Sequence, residues 1–299
     1  MTVELLLSRL RAAGFEAQSV RAAPGGVVAL AGLATLRDGS RVFAKTMRDG
    51  PRVPAETSRT PASDLFEIEA AGLRALRELG GVTTPQVLAV TQDLLVLEPL
   101  PPRRDDDERF WEELGLAVAG LHAATVGARF GWHRDGWLGR LRQDNTWDAD
   151  GHAWFAERRI LRWLPEPLVE AALSREERRA LERLCAALPD LLPPAPPVLT
   201  HGDLWRENIM ATTAGGPALI DPAVSYSWAE ADLSMLWCSP RPPAARRFFE
   251  VYAATAPLPD GWQERMRLYR LRELLSSIAH DDDARACAEA VRETVQLYL

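Results

Sequence analysis

The apolar residues of this chain keep two different periods, and the change falls at the segment Leu97-Glu98-Pro99-Leu100-Pro101-Pro102. Before it, short apolar runs alternate with turn signals. VVALAGLATL (27–36) and RVFAKTM (41–47) are separated by Arg37-Asp38-Gly39-Ser40, an Asp-Gly turn between two strands. VLAV (87–90) and LLVLEPL (94–100) make a second strand pair. Two helix patterns accompany them. One is the N-terminal MTVELLLSRLRAAGF; the other is DLFEIEAAGLRALRELGG. In the latter, Leu65, Ile68, Leu73, Leu76 and Leu79 fall near a 3.6 period, Asp64 can cap and Gly80-Gly81 terminate. After the change of period the pattern is helical, with candidates at 109–125, 154–163, 174–188, 230–237, 243–254, 260–279 and 283–297. The expected fold is α+β and bilobal: a small antiparallel-sheet lobe over 1–100, a helical lobe over 101–299, and a cleft at the join where ligands favour binding.

Composition narrows the classes. Hydrophobic residues at 47% and charged residues at 26% of 299 suit a globular chain with a sizeable core. The longest apolar stretch, Val27 to Leu36, is far short of the roughly 20 residues a membrane helix needs. The N-terminal helix carries Glu4 and lacks a small-residue cleavage site, so it does not read as a secretory signal. Three widely separated cysteines, Cys185, Cys238 and Cys287, fit reduced thiols in a cytoplasm. A net charge of -7 does not suggest a nucleic-acid surface. The acidic runs Asp105–Glu108 and Asp281–Asp283 read as favourable charge at the start of the helices that follow.

The densest chemistry lies in THGDLWRENIM (200–210), which contains H-x-D-x-x-x-x-N. This is the spacing of a phosphoryl-transfer loop, in which the Asp accepts the acceptor hydroxyl's proton and the Asn holds magnesium. Asp203 is therefore the candidate catalytic base and Asn208 a candidate metal ligand. His201 reads as a brace of the loop. Thirteen positions after Asn208 comes Asp221, in ALIDPA. A hairpin at Ala214–Pro217 would return Asp221 beside Asn208 as a second ligand, enough for a magnesium that also leans on phosphates. A lone HGD is a polar turn more often than a site; the matched offsets of Asn208 and Asp221 decide against that reading. Lys45 closes the strand RVFAK, as a phosphate-pairing lysine does. Glu67 and Glu69 on the next helix both could pair with it, and they face different ways. Gly25-Gly26 could form a phosphate-covering turn. In LVLEPL, the Glu98 carbonyl and the Leu100 N–H could face a purine, with Pro99 where a missing donor costs nothing. Trp205, between Asp203 and Asn208, is placed against a substrate sugar face or under the loop.

HGDLW, Asn208, IDPA and then Glu230-Ala-Asp-Leu-x-Met235 resemble the fructosamine kinase family, a branch of the aminoglycoside-phosphotransferase-like kinases with the protein-kinase-like fold. VFAK, FEIEAAGLRAL, LGLAVAGLH ending at His122, QDNTW with Gln143 and Asn145, and PLPDGW through Tyr269 extend the resemblance over most of the chain. It implies ATP and Mg2+, transfer of the γ-phosphate to a sugar hydroxyl of a ketosamine, Asp203 as base, Asn208 and Asp221 on the metal, and Lys45 on the phosphates with Glu69 as its partner. Trp205 and Glu230 are the candidate substrate residues. The chain departs from the family pattern at GGVVA (25–29), Glu207, Ser225, Ser227 and Ser277. The residues leave two other readings open: a kinase of the same fold acting on an aminoglycoside or amino alcohol, and a non-catalytic nucleotide-binding module.

Overall fold

The computed structural model describes residues 2–23, 29–47, 64–256 and 258–299. Helix α1 (Thr2–Ala12) leads into strands β1 (Ala17–Ala22), β2 (Ala29–Leu36) and β3 (Arg41–Met47); helix α2 (Leu65–Gly80) then precedes β4 (Val87–Val90) and β5 (Leu94–Leu97). The five strands form one antiparallel sheet in the order β1-β2-β3-β5-β4. Both expected hairpins are present, and Asp38 holds the β2–β3 turn by accepting from the Ser40 N–H at 2.9 Å. Strand β1 was not legible, because AQSVRA has no clean apolar alternation. It is an edge strand with only Ala17 buried.

Strand β5 shows how the sheet is filled. Leu94 and Val96 pack with Leu6 and Leu10 of α1, whereas Leu95 and Leu97 pack with Phe66, Ala70 and Leu73 of α2. Successive side chains point to opposite faces, both faces are covered, and all four residues are buried. Gly81, in the left-handed conformation, ends α2 as its sequence suggested. Its expected cap does not form: Asp64 makes no cap hydrogen bond. Its carboxylate instead accepts from Trp137 Nε1 at 3.0 Å and from Arg142 Nη2 at 2.9 and 3.0 Å. An indole and an arginine, more than seventy positions on in sequence, take the carboxylate that a cap would need.

The remainder is mostly helical. Helix α3 (Glu108–Ala124) is capped by Asp107, whose side chain accepts from the Arg109 and Phe110 N–H groups. A hairpin of β6 (Gly136–Leu138) and β7 (Leu141–Gln143) follows. Helix α4 (Gly151–Phe155) continues through a π-turn at Ala156–Ile160 and a 3₁₀ turn at Leu161–Trp163, where a single helix was expected. Next come α5 (Pro167–Ala172) and α6 (Arg175–Leu191), the latter with a Ser174/Glu177 capping box. Short strands β8 (Val198–Thr200), β9 (Ile209–Ala211), β10 (Pro217–Leu219) and β11 (Ser225–Ser227) carry the central loops. Helices α7 (Ala229–Cys238), α8 (Arg246–Thr255), α9 (Trp262–His280) and α10 (Ala284–Tyr298) complete the chain. One apolar cluster joins α4, α6, α9 and α10 around Trp154, Trp163 and Trp228; another joins α3 and α8 around Trp111, Phe248 and Tyr252. Helices α3 and α8 approach so closely at Gly115 that a Cβ there would lie 2.7 Å from the Phe248 carbonyl oxygen. Among the described residues, no helix is long and apolar enough to cross a membrane.

Candidate active site

Lys45 sits in the middle of the sheet, opposite Ala31 on β2 and Leu95 on β5, and is 8% exposed. A lysine so deep requires anionic partners. It has two: Glu69 Oε1 at 2.8 Å and the carboxylate of Asp221. The choice between the two helix acids is thereby resolved, since Glu69 turns to the sheet and Glu67 is exposed. Burial alone would lower the Lys45 ammonium, but the charges of Asp221 and Glu69 outweigh it and hold the ammonium raised. Burial, with Asp221 adding to it against the pull of Lys45, lifts Glu69 to about 7.

The loop between β8 and β9 supplies the rest. Strands β9 and β10 pair antiparallel with Leu219 opposite Ile209, and the Ile220 N–H donates to the Asn208 carbonyl at 3.0 Å. The expected hairpin therefore exists and returns Asp221 to Asn208. Asp221 takes a left-handed conformation (φ 55°), one that Asp tolerates better than most side chains. Asn208 Nδ2 donates both to the Asp203 carbonyl at 2.8 Å and to Asp203 Oδ2 at 2.9 Å, so its remaining polar side-chain atom is an oxygen. Burial raises the Asp203 carboxyl above the usual range, against the opposing charge of Arg272.

The loop is braced from behind. His201 Nδ1 accepts the Asp203 N–H at 3.2 Å, which leaves Nε2 as the donor to the Ile220 carbonyl at 2.9 Å. The brace reading of His201 therefore describes its contacts. Asp232 on α7, missed by the sequence reading, accepts the His201 N–H and the Gly202 N–H, each at 2.8 Å, and also contacts His122 Nε2 at 3.2 Å. Tyr252 meets the other His122 nitrogen at 2.7 Å. Burial works to raise Asp232, but the His122 hydrogen bond and charge outweigh it and hold the carboxyl low. Gly202 has φ 77°, and a Cβ there would lie 2.1 Å from the Ala223 oxygen, so only glycine fits. The sequence signal for Asp232 was an acid within the mostly apolar ADLSML; nothing local marked it as a loop anchor.

Other expectations are placed as follows. Gly25, Gly26 and GGVV lie outside the described residues. Glu98, just past β5, exchanges hydrogen bonds with Gln86: its N–H donates at 2.9 Å and its carboxylate accepts at 3.2 Å. The connector after Leu100 is fastened to the loop, because Arg103 donates to the carbonyls of Arg206 and Ile209. Trp205 is half-buried in the loop, its backbone N–H donating to the Asp203 carbonyl at 3.1 Å. Glu230 is not brought to the loop as a free group. It is 6% exposed, and both oxygens are taken by Arg265 of α9 at 2.7 and 2.9 Å, a pairing that an acid buried on α7 needs. Glu207 is exposed, with its charge matched by Arg206 at 2.6 Å. Ser225 is buried and accepts from Arg159 at 3.2 Å.

Oxygen donors from one amide and one carboxylate suit magnesium. Among the described residues no group of three or more His, Cys, Asp or Glu is placed to hold a metal by itself. A cation at Asn208 and Asp221 would thus need oxygens from a phosphate as well, which is the way magnesium binds with nucleotides.

Asp203, Asn208, Asp221 and the carboxylate-paired Lys45 converge, and the fructosamine kinase family model matches residues 1–284. The chain belongs to the fructosamine kinase family. A relative from Synechocystis, named a probable ketoamine kinase, is 32% identical over 216 residues, covering 71% of this chain and 72% of its own. A Thermobifida fusca crystal structure named for fructosamine-3-kinase superposes with a TM-score of 0.81 at 29% identity, covering 98% and 99% of the two chains. The choline kinase LicA from Streptococcus pneumoniae, 14% identical with 99% of each chain covered, shares the fold at a TM-score of 0.62. Fructosamine kinase family membership makes the chain a phosphotransferase acting on a hydroxyl, and it does not favour the non-catalytic reading.

Proposed function

We propose that this chain moves the γ-phosphoryl group of ATP to a sugar hydroxyl of a ketosamine, with Asp203 as the general base. The observation that carries this reading is the convergence of Lys45, Glu69, Asp221, Asn208 and Asp203 from four separate stretches of sequence. Lys45, fixed by Glu69, meets the phosphates. Asn208 and Asp221 would hold magnesium, which when bound neutralises phosphate charge. Asp203 orients the acceptor hydroxyl and takes its proton; a buried carboxylate of raised pKa is a stronger base than one in water. Trp205 flanks the sugar. Residues 1–100 form the phosphate-binding lobe, 101–299 carry the loop, and the Glu98–Leu100 backbone takes the purine. Catalysis is mostly positioning and charge stabilisation.

Coupled ADP release with Mg-ATP, screened over fructosamines, ribulosamines and aminoglycosides, tests this. A ketosamine is expected to be the best acceptor. Asp203→Asn should keep ATP binding and lose about 10²- to 10⁴-fold in turnover. Undiminished ATP consumption by that variant with the best acceptor refutes the role of Asp203.

A further inference from the structure

Two buried polar atoms are left unmet at one place beside the catalytic loop. Arg272 and Glu273 are consecutive on α9. Arg272 Nη1 reaches Glu273 Oε1 at 3.4 Å, and Arg272 Nη2 donates to Gln143 Oε1 at 2.7 Å. Arg272 Nε and Glu273 Oε2 are buried without a hydrogen-bond partner, in a residue 7% exposed and a side chain 11% exposed. Buried polar atoms are ordinarily paired, so such a couple points to an absent group. Both residues line a cavity of about 20 Å³ together with Arg159, Gly202 and Leu204. Gly202 and Leu204 flank Asp203, whose carboxylate feels the charge of Arg272 and acts in turn on Glu273. The cavity therefore lies against the stretch of loop that carries Asp203, with Asp232 also in its wall.

With Glu273 ionised, the missing group must donate to its Oε2 and accept from Arg272 Nε. An ammonium only donates, and it would lie against Arg272 and Arg159. A carboxylate or phosphate only accepts, and it would lie against Glu273 and Asp232. A hydroxyl does both, and the cavity has the room of about one water. We propose that Arg272 and Glu273 bind one sugar hydroxyl of the acceptor, other than the hydroxyl that is phosphorylated, and so determine which sugar is accepted. The assignment rests on the ketosamine reading above. A water offers the same donor and acceptor pair, so the site that suits one water suits this hydroxyl.

The test is a series of N-alkyl ketosamines, each lacking one sugar hydroxyl outside the phosphorylated position, assayed by coupled ADP release. With the wild type, one deoxy compound is expected to lose about 10- to 150-fold in kcat/KM, the range for a hydrogen bond to charged groups. For that compound the ratio of intact to deoxy acceptor should fall toward one in both Glu273→Gln and Arg272→Met, while the ratios at other positions hold. A ratio that neither variant changes overturns the proposal, with water as the cavity's sole occupant. Should the variants fail to fold, the wild-type series decides alone: no deoxy compound losing about tenfold sinks the assignment. ADP release from no intact ketosamine refutes both the ketosamine reading and this assignment, whereas turnover without a position-specific loss refutes only the assignment.

Discussion

Replacing Asp232 should damage folding and turnover together, although it is not among the groups assigned to the chemistry. Its side chain is wholly buried and accepts from two backbone N–H groups at 2.8 Å, those of His201 and Gly202. Asp232→Ala leaves both donors without an acceptor, at about 1–3 kcal/mol each, or roughly 2–6 kcal/mol in sum. That is a large part of the stability of a typical domain. Asp232→Asn keeps the volume but can satisfy only one donor while setting its own amide against the other, so about 1–3 kcal/mol is expected. The loop then shifts, and a displacement of Asp203 by about 1 Å costs on the order of 10²-fold in kcat. Urea unfolding and ADP-release kinetics, compared at pH 7, measure the two effects. The pH dependence supplies a further check. The folded carboxyl lies below its ordinary value of 3.8, so its ionised form stabilises the fold above that value, and the benefit is lost as pH falls through the lower folded pKa. The deficit of Asp232→Asn should therefore shrink in acid. An Asp232→Asn protein within about 0.5 kcal/mol of wild type, with unaltered kcat, refutes the anchoring role.

Two further outcomes follow from contacts described above. Asp64→Ala removes the acceptor of Trp137 Nε1 and of Arg142, a partly exposed pair, and should cost about 1–2 kcal/mol; it should also raise KM for ATP, because α2 carries Glu69. A lowered melting temperature with unchanged KM would refute the link to Lys45. Burial raises Glu273 from 4.5 to about 7, so the folded state binds the extra proton across that window and stability falls as pH rises through it. Glu273→Gln should flatten that fall in unfolding free energy measured from pH 4.5 to 7, and equal slopes in both proteins would count against it.

What the sequence made legible was local. The Asp-Gly turn, the apolar runs and the Asp203–Asn208 spacing each need only a few neighbouring residues, and each is found where it was expected. The 214–217 hairpin was also recoverable, because Asn208 and Asp221 are close enough in sequence for one turn to rejoin them. Asp232, Arg272 and Glu273 were not. Asp232 reaches the loop from another helix, Arg272 and Glu273 share a cavity with it, and a single acid or arginine in a helix pattern reads the same whether it faces solvent or the interior. The partner of Glu230 was hidden for the same reason, since Arg265 lies 35 residues away. Asp64 was read as a cap because a cap is the local solution; its actual partners, Trp137 and Arg142, are more than seventy positions on.

The attachment of Asp64 bears on how the nucleotide cradle comes to be assembled. A helix clasped at its base to the opposite half of the molecule cannot swivel outward as a unit without unfastening that clasp. On the kinase reading proposed above, that clasp favours keeping Glu69 seated against Lys45 whether or not a nucleotide is bound.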